Sequence, residues 1–419
     1  MPDKRKLIVI GGGAAGFFCA VNAARMNPAL EVILLEKTGK LLSKVKVSGG
    51  GRCNVTHACF EIDEFSKRYP RGRNFLKKAF HQFDAKSTLD WFAQRDIQLK
   101  AESDGRMFPV TNTSQTIIDC LVQEANRYGV DIRMNRTVTS VESEGGDSEN
   151  AGNFSVHFSD GGFLRSDYLF IGCGGFPKIS HYDWIGKLGH TIEPPVPSLF
   201  TFNLPGDPIS RLMGVSVDNV TVKIAGSKLS ESGPLLITHW GLSGPAILKL
   251  SAWGARELAD RHYEFTVLVN WVGENESQLR ARWPGIRQQM GSQKLGSKNP
   301  FDLPARLWLY FLQQAGIEEQ TRWSDLGSKF QHLLVGLLTS QAFQVKGKTT
   351  FKEEFVTAGG IKCQEVDPNT MQSKRVPGLF FGGEILDIDG VTGGFNFQNA
   401  WTTGWIAARS IASRGLAIQ

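Results

Sequence analysis

Four apolar residues, 7–10, break into Gly11-Gly12-Gly13-Ala14-Ala15-Gly16. A small-residue stretch then runs to Met26, and a second apolar run at 31–36 ends on Glu36. Few arrangements accommodate that order. A buried strand, a glycine turn, a helix stopped by Asn27-Pro28 and a second strand make the βαβ unit that opens a doubly wound α/β domain. Gly11, Gly13 and Gly16 let backbone N–H groups approach a pyrophosphate at the helix N-terminus. Glu36, 20 residues after Gly16, lies where a carboxylate accepts hydrogen bonds from ribose hydroxyls. The unit reads as a dinucleotide site rather than a purely structural turn, without separating FAD from NAD.

At 419 residues the chain exceeds one ordinary core, so two or three domains are expected. A content of 41% hydrophobic and 21% charged residues excludes wholesale disorder. The formal charge of +6 permits an anionic ligand and does not argue for nucleic acid. Six cysteines include no C-x-x-C pair, neither a disulfide framework nor a zinc signature, so no metal is expected and the reading is cytoplasmic. Gly11 interrupts the N-terminal apolar run too early for a signal peptide, and no run approaches the roughly 20 residues that span a bilayer.

Residues 60–135 read as mostly helical, with Phe75, Phe80, Phe83 and Trp91-Phe92 as core anchors. Strands are expected at 131–142 and 154–158, and a turn at 159–162 leads into another ending at 169–171. Pro194-Pro195-Val196-Pro197 reads as a linker, followed by strands at 215–224 and 263–271. Helical periodicity fills 275–340, including 303–314 with Asp302 as cap and Pro304 in the first turn. From Phe355 the chain is Gly-rich and β-like, and it closes on a small-residue helix at 396–411.

Several further motifs carry a family likeness. They are Gly49-Gly50-Gly51-Arg52-Cys53-Asn54, Gly105-Arg106-Met107-Phe108-Pro109 and Thr238-His239-Trp240-Gly241-Leu242-Ser243-Gly244-Pro245. Thr357-Ala358-Gly359-Gly360, Ser373-Lys374 before Pro377-Gly378-Leu379, and Gly382-Gly383-Glu384-Ile385-Leu386-Asp387 through Gly394-Phe395-Asn396-Phe397-Gln398-Asn399-Ala400 complete the set. With these the chain resembles the BaiN/RdsA (YhiN-like) family of FAD-dependent oxidoreductases over nearly its whole length.

The resemblance implies a discontinuous Rossmann-like FAD-binding domain, 1–194 with 355–419. It implies an inserted β-barrel-like domain, 195–274 with 341–354, and a nested helical insert, 275–340. FAD is then the expected cofactor. Gly11, Gly13, Ala14, Ala15, Gly16, Glu36 and Lys37 serve its adenosine half, with the Val138 backbone by the adenine. Gly51, Arg52, Cys53 and Asn54 lie near its inner part, and Gly174, Gly383, Glu384, Gly394, Asn396 and Phe397 toward the pyrophosphate and flavin. Gly393-Gly394 opens a helix whose positive end would stabilise negative charge on a reduced flavin. One departure is Gly172-Cys173-Gly174-Gly175, where flavoproteins of this broad class carry Ala-Thr-Gly-Gly; the thiol replaces a good hydroxyl donor.

The catalytic residues stay unassigned, with His239 as an acid/base candidate against local turn structure and Arg106 as an anion clamp against a structural salt bridge. Cys53 reads as a small buried side chain rather than a redox thiol, since no partner sits at dithiol spacing. Lys67-Arg68-Tyr69-Pro70-Arg71-Gly72-Arg73 with Lys77-Lys78 reads as a solvated helical face rather than an RNA contact. No second G-x-G-x-x-G occurs between 170 and 355, so NADH or NADPH would be a transient reductant. The expected activity is electron or hydride transfer between flavin and a small-molecule substrate, with no nucleic acid and no membrane. The alternatives are a flavin-dependent RNA-modifying enzyme and a non-catalytic FAD-binding redox sensor.

Overall fold

β1 (Lys6–Ile10), α1 (Ala14–Met26) and β2 (Glu31–Leu35) form where the apolar runs and the glycine turn require them. The computed structural model describes residues 4–143, 152–350 and 356–415. Three further strands, β3 (Asp131–Arg133), β4 (Tyr168–Ile171) and β5 (Leu379–Phe381), complete a parallel sheet of order β5-β4-β1-β2-β3. Leu7 to Val9, Ile33, Leu34, Leu169 to Ile171 and Leu379 to Phe381 have no exposure. Such unbroken apolar runs suit a parallel sheet covered on both faces. α2 (Phe395–Gly415) packs on α1, with Trp401 5.2 Å from Phe18 and Gly404 so close that a Cβ would lie 2.7 Å from Ala15 O.

The stretch expected to be mostly helical is mixed. Helices Ile62–Ser66, Arg73–Phe80, Ala85–Ala93 and Gln115–Arg127 are interrupted by a three-stranded antiparallel sheet of Thr56–His57, Arg106–Pro109 and Leu99–Ala101. The strand expected at 131–142 is two strands, because Asn135 takes a left-handed φ of +57° between β3 and Val138–Ser143. Val138–Ser143 joins Phe154–Phe158 and Phe163–Ser166 in a separate antiparallel sheet, so the strand before β4 also ends one residue short of it.

A buried polar network ties α2 to its surroundings. Thr56 and Thr88 donate to Gln398 Oε1 at 2.7 and 3.0 Å, Gln398 Nε2 donates to Thr402 Oγ1 at 3.1 Å, and Thr402 donates to Phe83 O. All four side chains are fully buried, and fully satisfied networks of this kind select one packing over others. Elsewhere His190, 4% exposed, shares a 2.9 Å hydrogen bond between Nε2 and Ser373 Oγ, while its Nδ1 is buried without a partner. Burial holds its pKa below the usual 6.5, outweighing Glu365, which raises it; Arg375 lowers it further. The folded protein therefore prefers neutral His190. Its contribution to stability is complete above the unfolded-state pKa near 6.5 and is lost as pH falls through that value toward the folded one. Thermal midpoints should fall between pH 7.5 and 5.5, and a His190→Gln variant should show a shallower fall. Equal slopes would mean that other groups carry the dependence.

The chain divides into two compact units, Met1–Pro197 with Phe351–Gln419 and Ser198–Thr350. The expected boundary at 354/355 lies outside the described residues. The second unit holds a seven-stranded sheet whose edges are Gln341–Lys346 and Lys348–Thr349, consecutive pieces of chain broken at Gly347. Helices Glu276–Met290, Ala305–Gln314 and Ser328–Ser340 share one hydrophobic core with that sheet, joining Val220 and Val267 to Trp283, Trp308 and Leu334. Asp302 is not the cap expected for the middle helix. The helix starts at Ala305 on Pro304, Asp302 has a φ of +53°, and Asn299 Oδ1 instead accepts from the N–H groups of Phe301 and Leu303.

Candidate functional site

The turn between β1 and α1 depends on approaches that exclude side chains. Gly11 N donates to Leu35 O at 2.8 Å, and a Cβ on Gly11 would lie 2.6 Å from Cys173 Cα and Gly172 O. A Cβ on Gly16 would lie 1.9 Å from Gly11 O, so helix and strand meet through bare backbone. Gly13 differs, because a Cβ there would meet nothing within 4 Å. It is the N-cap of α1 and supplies no side-chain cap, and the first turn carries no acidic residue. The N–H groups of that turn, including Ala14 and Ala15, have no intrahelical acceptor and form the positive end of the helix dipole.

Glu36 is locked beside this turn. Its Oε2 accepts from Gly12 N at 2.9 Å, and its Oε1 accepts from Thr38 N and Oγ1 at 2.9 and 2.8 Å. Its backbone also fixes the neighbouring segment: Glu36 N donates to Arg133 O and Arg136 N donates to Glu36 O. That pairing brings the chain leading to Val138, which pairs with Phe158, to the same rim. Lys37 is exposed next to it.

On the other side of the turn, Cys173 is half-exposed, yet desolvation pushes its thiol up to about 12, Lys37 pulling the other way and Glu36 adding to the rise. It is a neutral thiol at pH 7. Gly174 takes a φ of +80° and Gly175 rests on Thr357, whose Oγ1 is buried without a hydrogen-bond partner. Thr357 N donates to Glu384 Oε1 at 3.0 Å, and Glu384 Oε2 pairs with Lys44 Nζ at 2.6 Å. Gly383 N donates to Thr403 Oγ1 at 2.8 Å, and a Cβ on Gly383 would lie 2.9 Å from Ala15 Cβ. The C-terminal segment thus sits directly on the first turn of α1.

The Gly49-to-Asn54 stretch forms the neighbouring wall. Gly49, Gly50, Gly51 and Cys53 all have left-handed φ, and open space lies where Cβ atoms of Gly50 and Gly51 would be. Cys53 is fully buried, and burial pushes its thiol up to about 12 against a hydrogen bond with Ser48. Arg52 lies 4.0 Å over the Phe108 ring and pairs with Glu102 at 2.5 Å. Arg106 pairs with the same Glu102 at 3.0 Å and with Asp104 at 2.7 Å. Both guanidinium groups therefore have carboxylate partners. Asn54, with its amide oriented to satisfy both ends, accepts from Gly394 N at 2.9 Å and donates to Thr56 O at 3.0 Å. Asn396 bonds Gly390 N and O, closing the loop before α2, and Phe397 stacks on Trp401.

These residues of the first unit form one contiguous wall. His239 belongs to the second unit, exposed at the tip of the hairpin Ser230–Thr238 and Gly241–Ser243 and edge-on to Trp240 at 4.2 Å. In the basic run, Lys67 pairs with Glu64, Lys77 with Asp63, and Arg71 with Asp389. Thr38, Lys44, His57 and Glu102 were not singled out from the sequence, and Thr357 entered only as part of a family motif, with no role. Only Thr38 had a usable signal, a hydroxyl two residues beyond the strand-ending acid. Among the described residues no group of three or more His, Cys, Asp or Glu could hold a metal, and no helix is long and apolar enough to cross a membrane.

The donor set suits a dinucleotide: uncapped helix N–H groups over open space, a fixed carboxylate for a ribose, and an orphaned buried hydroxyl at Thr357. Residues 5–410 match the family described as HI0933-like protein Rossmann domain. The chain is 28% identical over 416 residues to a 3-dehydro-bile acid delta(4,6)-reductase of Clostridium scindens, covering 97% of this chain and 98% of that protein. It is 30% identical over 419 residues to a ribosomal RNA dihydrouridine synthase of Escherichia coli, covering 98% of each. Among solved structures, a 3-ketosteroid-delta4-(5alpha)-dehydrogenase from Rhodococcus jostii RHA1 superposes with a TM-score of 0.51 at 12% identity, covering 97% of both chains. A flavocytochrome c3 fumarate reductase gives 0.51 at 15% identity, covering 99% of this chain and 79% of that one. Those two likenesses show the Rossmann-type α/β fold.

Proposed function

Because the chain belongs to the HI0933-like Rossmann-domain family, we propose that it is an FAD-dependent oxidoreductase that saturates a carbon–carbon double bond conjugated to a carbonyl. Glu36 carries the cofactor assignment. Its carboxylate is oriented by Gly12 and Thr38 beside an uncapped helix start, as an adenosine ribose next to a pyrophosphate requires. The residues fit such a group: the Ala14 and Ala15 N–H groups would hold the pyrophosphate, Glu36 would accept from the ribose, and the start of α2 would add a second positive helix end. FAD, when bound, supplies two-electron hydride chemistry that no side chain of this wall provides. The protein contributes orientation and electrostatics.

The reaction class rests on the relatives. One relative is a 3-dehydro-bile acid delta(4,6)-reductase and another a ribosomal RNA dihydrouridine synthase, and the reading that unites them is reduction of a carbon–carbon double bond conjugated to a carbonyl. A hydride and a proton enter the substrate, and a nicotinamide nucleotide is the class of reductant that returns the electrons. A small conjugated enone is the leading substrate class. A uridine within RNA is the second reading, favoured by the full-length 30% identity to the Escherichia coli protein.

The purified protein should be yellow and release FAD on denaturation. Glu36→Ala should weaken FAD binding to the apoprotein by roughly 10- to 100-fold, since a charge-assisted hydrogen bond contributes about 1.5–3 kcal/mol. An unchanged dissociation constant, or FMN in place of FAD, overturns the cofactor assignment. Anaerobic mixing of the dithionite-reduced holoprotein separates the substrates. Reoxidation by a cyclic enone and not by unmodified ribosomal RNA supports the small molecule, the reverse supports RNA, and neither refutes the reaction class.

Cys53→Ser should keep full FAD content and lose less than roughly tenfold in flavin reduction rate, under about 1.4 kcal/mol of barrier. The buried thiol, pushed up to about 12, is not a thiolate at working pH. A thousandfold collapse of reoxidation with full FAD content would make it a redox group.

A further inference from the structure

One peptide group at the start of α2 is held at both ends by side chains from a single short segment. The group is Gly393–Gly394. Its carbonyl lies 3.0 Å from His57 Nδ1, and its N–H lies 2.9 Å from Asn54 Oδ1. A carbonyl only accepts, so Nδ1 carries the proton in that contact. The His57 ring is fixed in turn. It stacks on Phe395 with centroids 4.8 Å apart and an angle of 28°, and its other edge faces Gly105, where a Cβ would lie 2.5 Å from Nε2. His57 is also anchored by its backbone in the strand pair with Arg106.

Such a clamp answers a specific weakness. Gly393 and Gly394 have φ values of +130° and +93°, regions in which glycine alone is at ease. Between two glycines nothing intrinsic stops the peptide plane from rotating and exchanging its N–H for its C=O on either face. Space adds to the requirement, because a Cβ on Gly394 would lie 2.5 Å from Thr56 O. The turn therefore has to be Gly-Gly, and its orientation has to come from outside.

We propose that His57 and Asn54 act as positioning residues that hold the Gly393–Gly394 peptide in one orientation, and that His57 thereby favours reduced over oxidised flavin at the start of α2. This rests on the FAD assignment above. The helix start is the positive end that a reduced, negatively charged isoalloxazine would face, and a peptide free to flip would turn a carbonyl dipole toward the same charge. His57 touches the peptide and acts through it.

Two substitutions at His57 separate the donor from the stack. His57→Phe keeps an aromatic face for Phe395 and removes the N–H. His57→Asn places an amide N–H near the Nδ1 position and removes the ring. Apoprotein is titrated with FAD, and the midpoint potential of the reconstituted flavin is measured by dye equilibration. His57→Phe should lose about tenfold in preference for reduced over oxidised flavin, a fall of about 30 mV for a two-electron couple, and His57→Asn should recover most of it. If His57→Phe does not fold, His57→Leu, which carries no side-chain N–H, takes its place with the same expectation. A wild-type potential in the donor-less variant, or equal shifts in both variants, overturns the inference while leaving the FAD assignment intact. Wild-type protein that binds no FAD defeats the assignment itself.

Discussion

Arg71→Ala is expected to cost about 3–5 kcal/mol of folding stability, read as a drop in the denaturant midpoint at unchanged slope. Asp389 has a fully buried side chain, and Arg71, itself only 14% exposed, meets both of its carboxylate oxygens through Nε and Nη2. Removing the cation leaves a carboxylate charge in the interior without the guanidinium that balances it. Taking two charges out of water is costly, so the intact pair is worth far less than the damage done by halving it. A double-mutant cycle makes this decisive. Asp389→Asn removes the charge, and in that background Arg71→Ala should cost at least 2 kcal/mol less than in the wild type. Additive losses would show that Arg71 stabilises through packing alone. The pair joins the 67–73 segment to the loop before α2, where Tyr69 Oη also donates to Phe395 O at 2.7 Å. Arg71 is thus a structural member of the basic run.

The second large effect contrasts two glycines three residues apart. Gly16→Ala would normally gain about 1 kcal/mol in a helix, but here the new methyl would lie 1.9 Å from Gly11 O, with Gly11 C at 3.1 Å and Val9 Cγ1 at 3.3 Å. The obstacle is backbone rather than the end of a flexible side chain, so the loss should reach about 3 kcal/mol and FAD binding should fail with it. Gly13→Ala meets open space at an ordinary φ of −93°, and its stability should stay within about 0.5 kcal/mol of wild type. Its methyl would nevertheless stand where a pyrophosphate approaches the helix, so FAD affinity should fall at least tenfold, about 1.4 kcal/mol. A stable Gly13→Ala protein with full FAD affinity would place the cofactor elsewhere.

Both glycines, Glu36 and the strands around them were legible because their contacts are local: a turn, its helix and the next strand lie within 36 residues. The motif at 382–400 was legible as a segment, but its partners were not. His57 meets Gly393 across 336 residues, Arg71 meets Asp389 across 318, and Thr56 meets Gln398 across 342. No spacing rule links positions that far apart. Arg106 was open in the sequence between an anion clamp and a structural salt bridge, and Glu102 and Asp104, four and two residues away, pair with it. The split of 131–142 into two strands was hidden for a third reason. Asn135 is ordinary in composition, and only its left-handed φ reveals the corner.

The strand order β5-β4-β1-β2-β3 has a consequence for how the chain is made. β1 and β2 leave the ribosome first, yet one edge of their sheet is β5 at 379–381, and the helix that covers α1 comes later still. At roughly 5–20 residues per second, the roughly 210 residues of synthesis between β4 (ending at Ile171) and β5 (starting at Leu379) take about 10–40 s. For that time the nascent first unit carries an unpaired edge at β4 and an uncovered α1, including the apolar Phe17 and Phe18. The second unit, Ser198–Thr350, has all of its strands in hand before β5 exists. Folding during synthesis should therefore run from the middle of the chain outward, and truncation before residue 379 should release an aggregating N-terminal segment joined to a folded second unit.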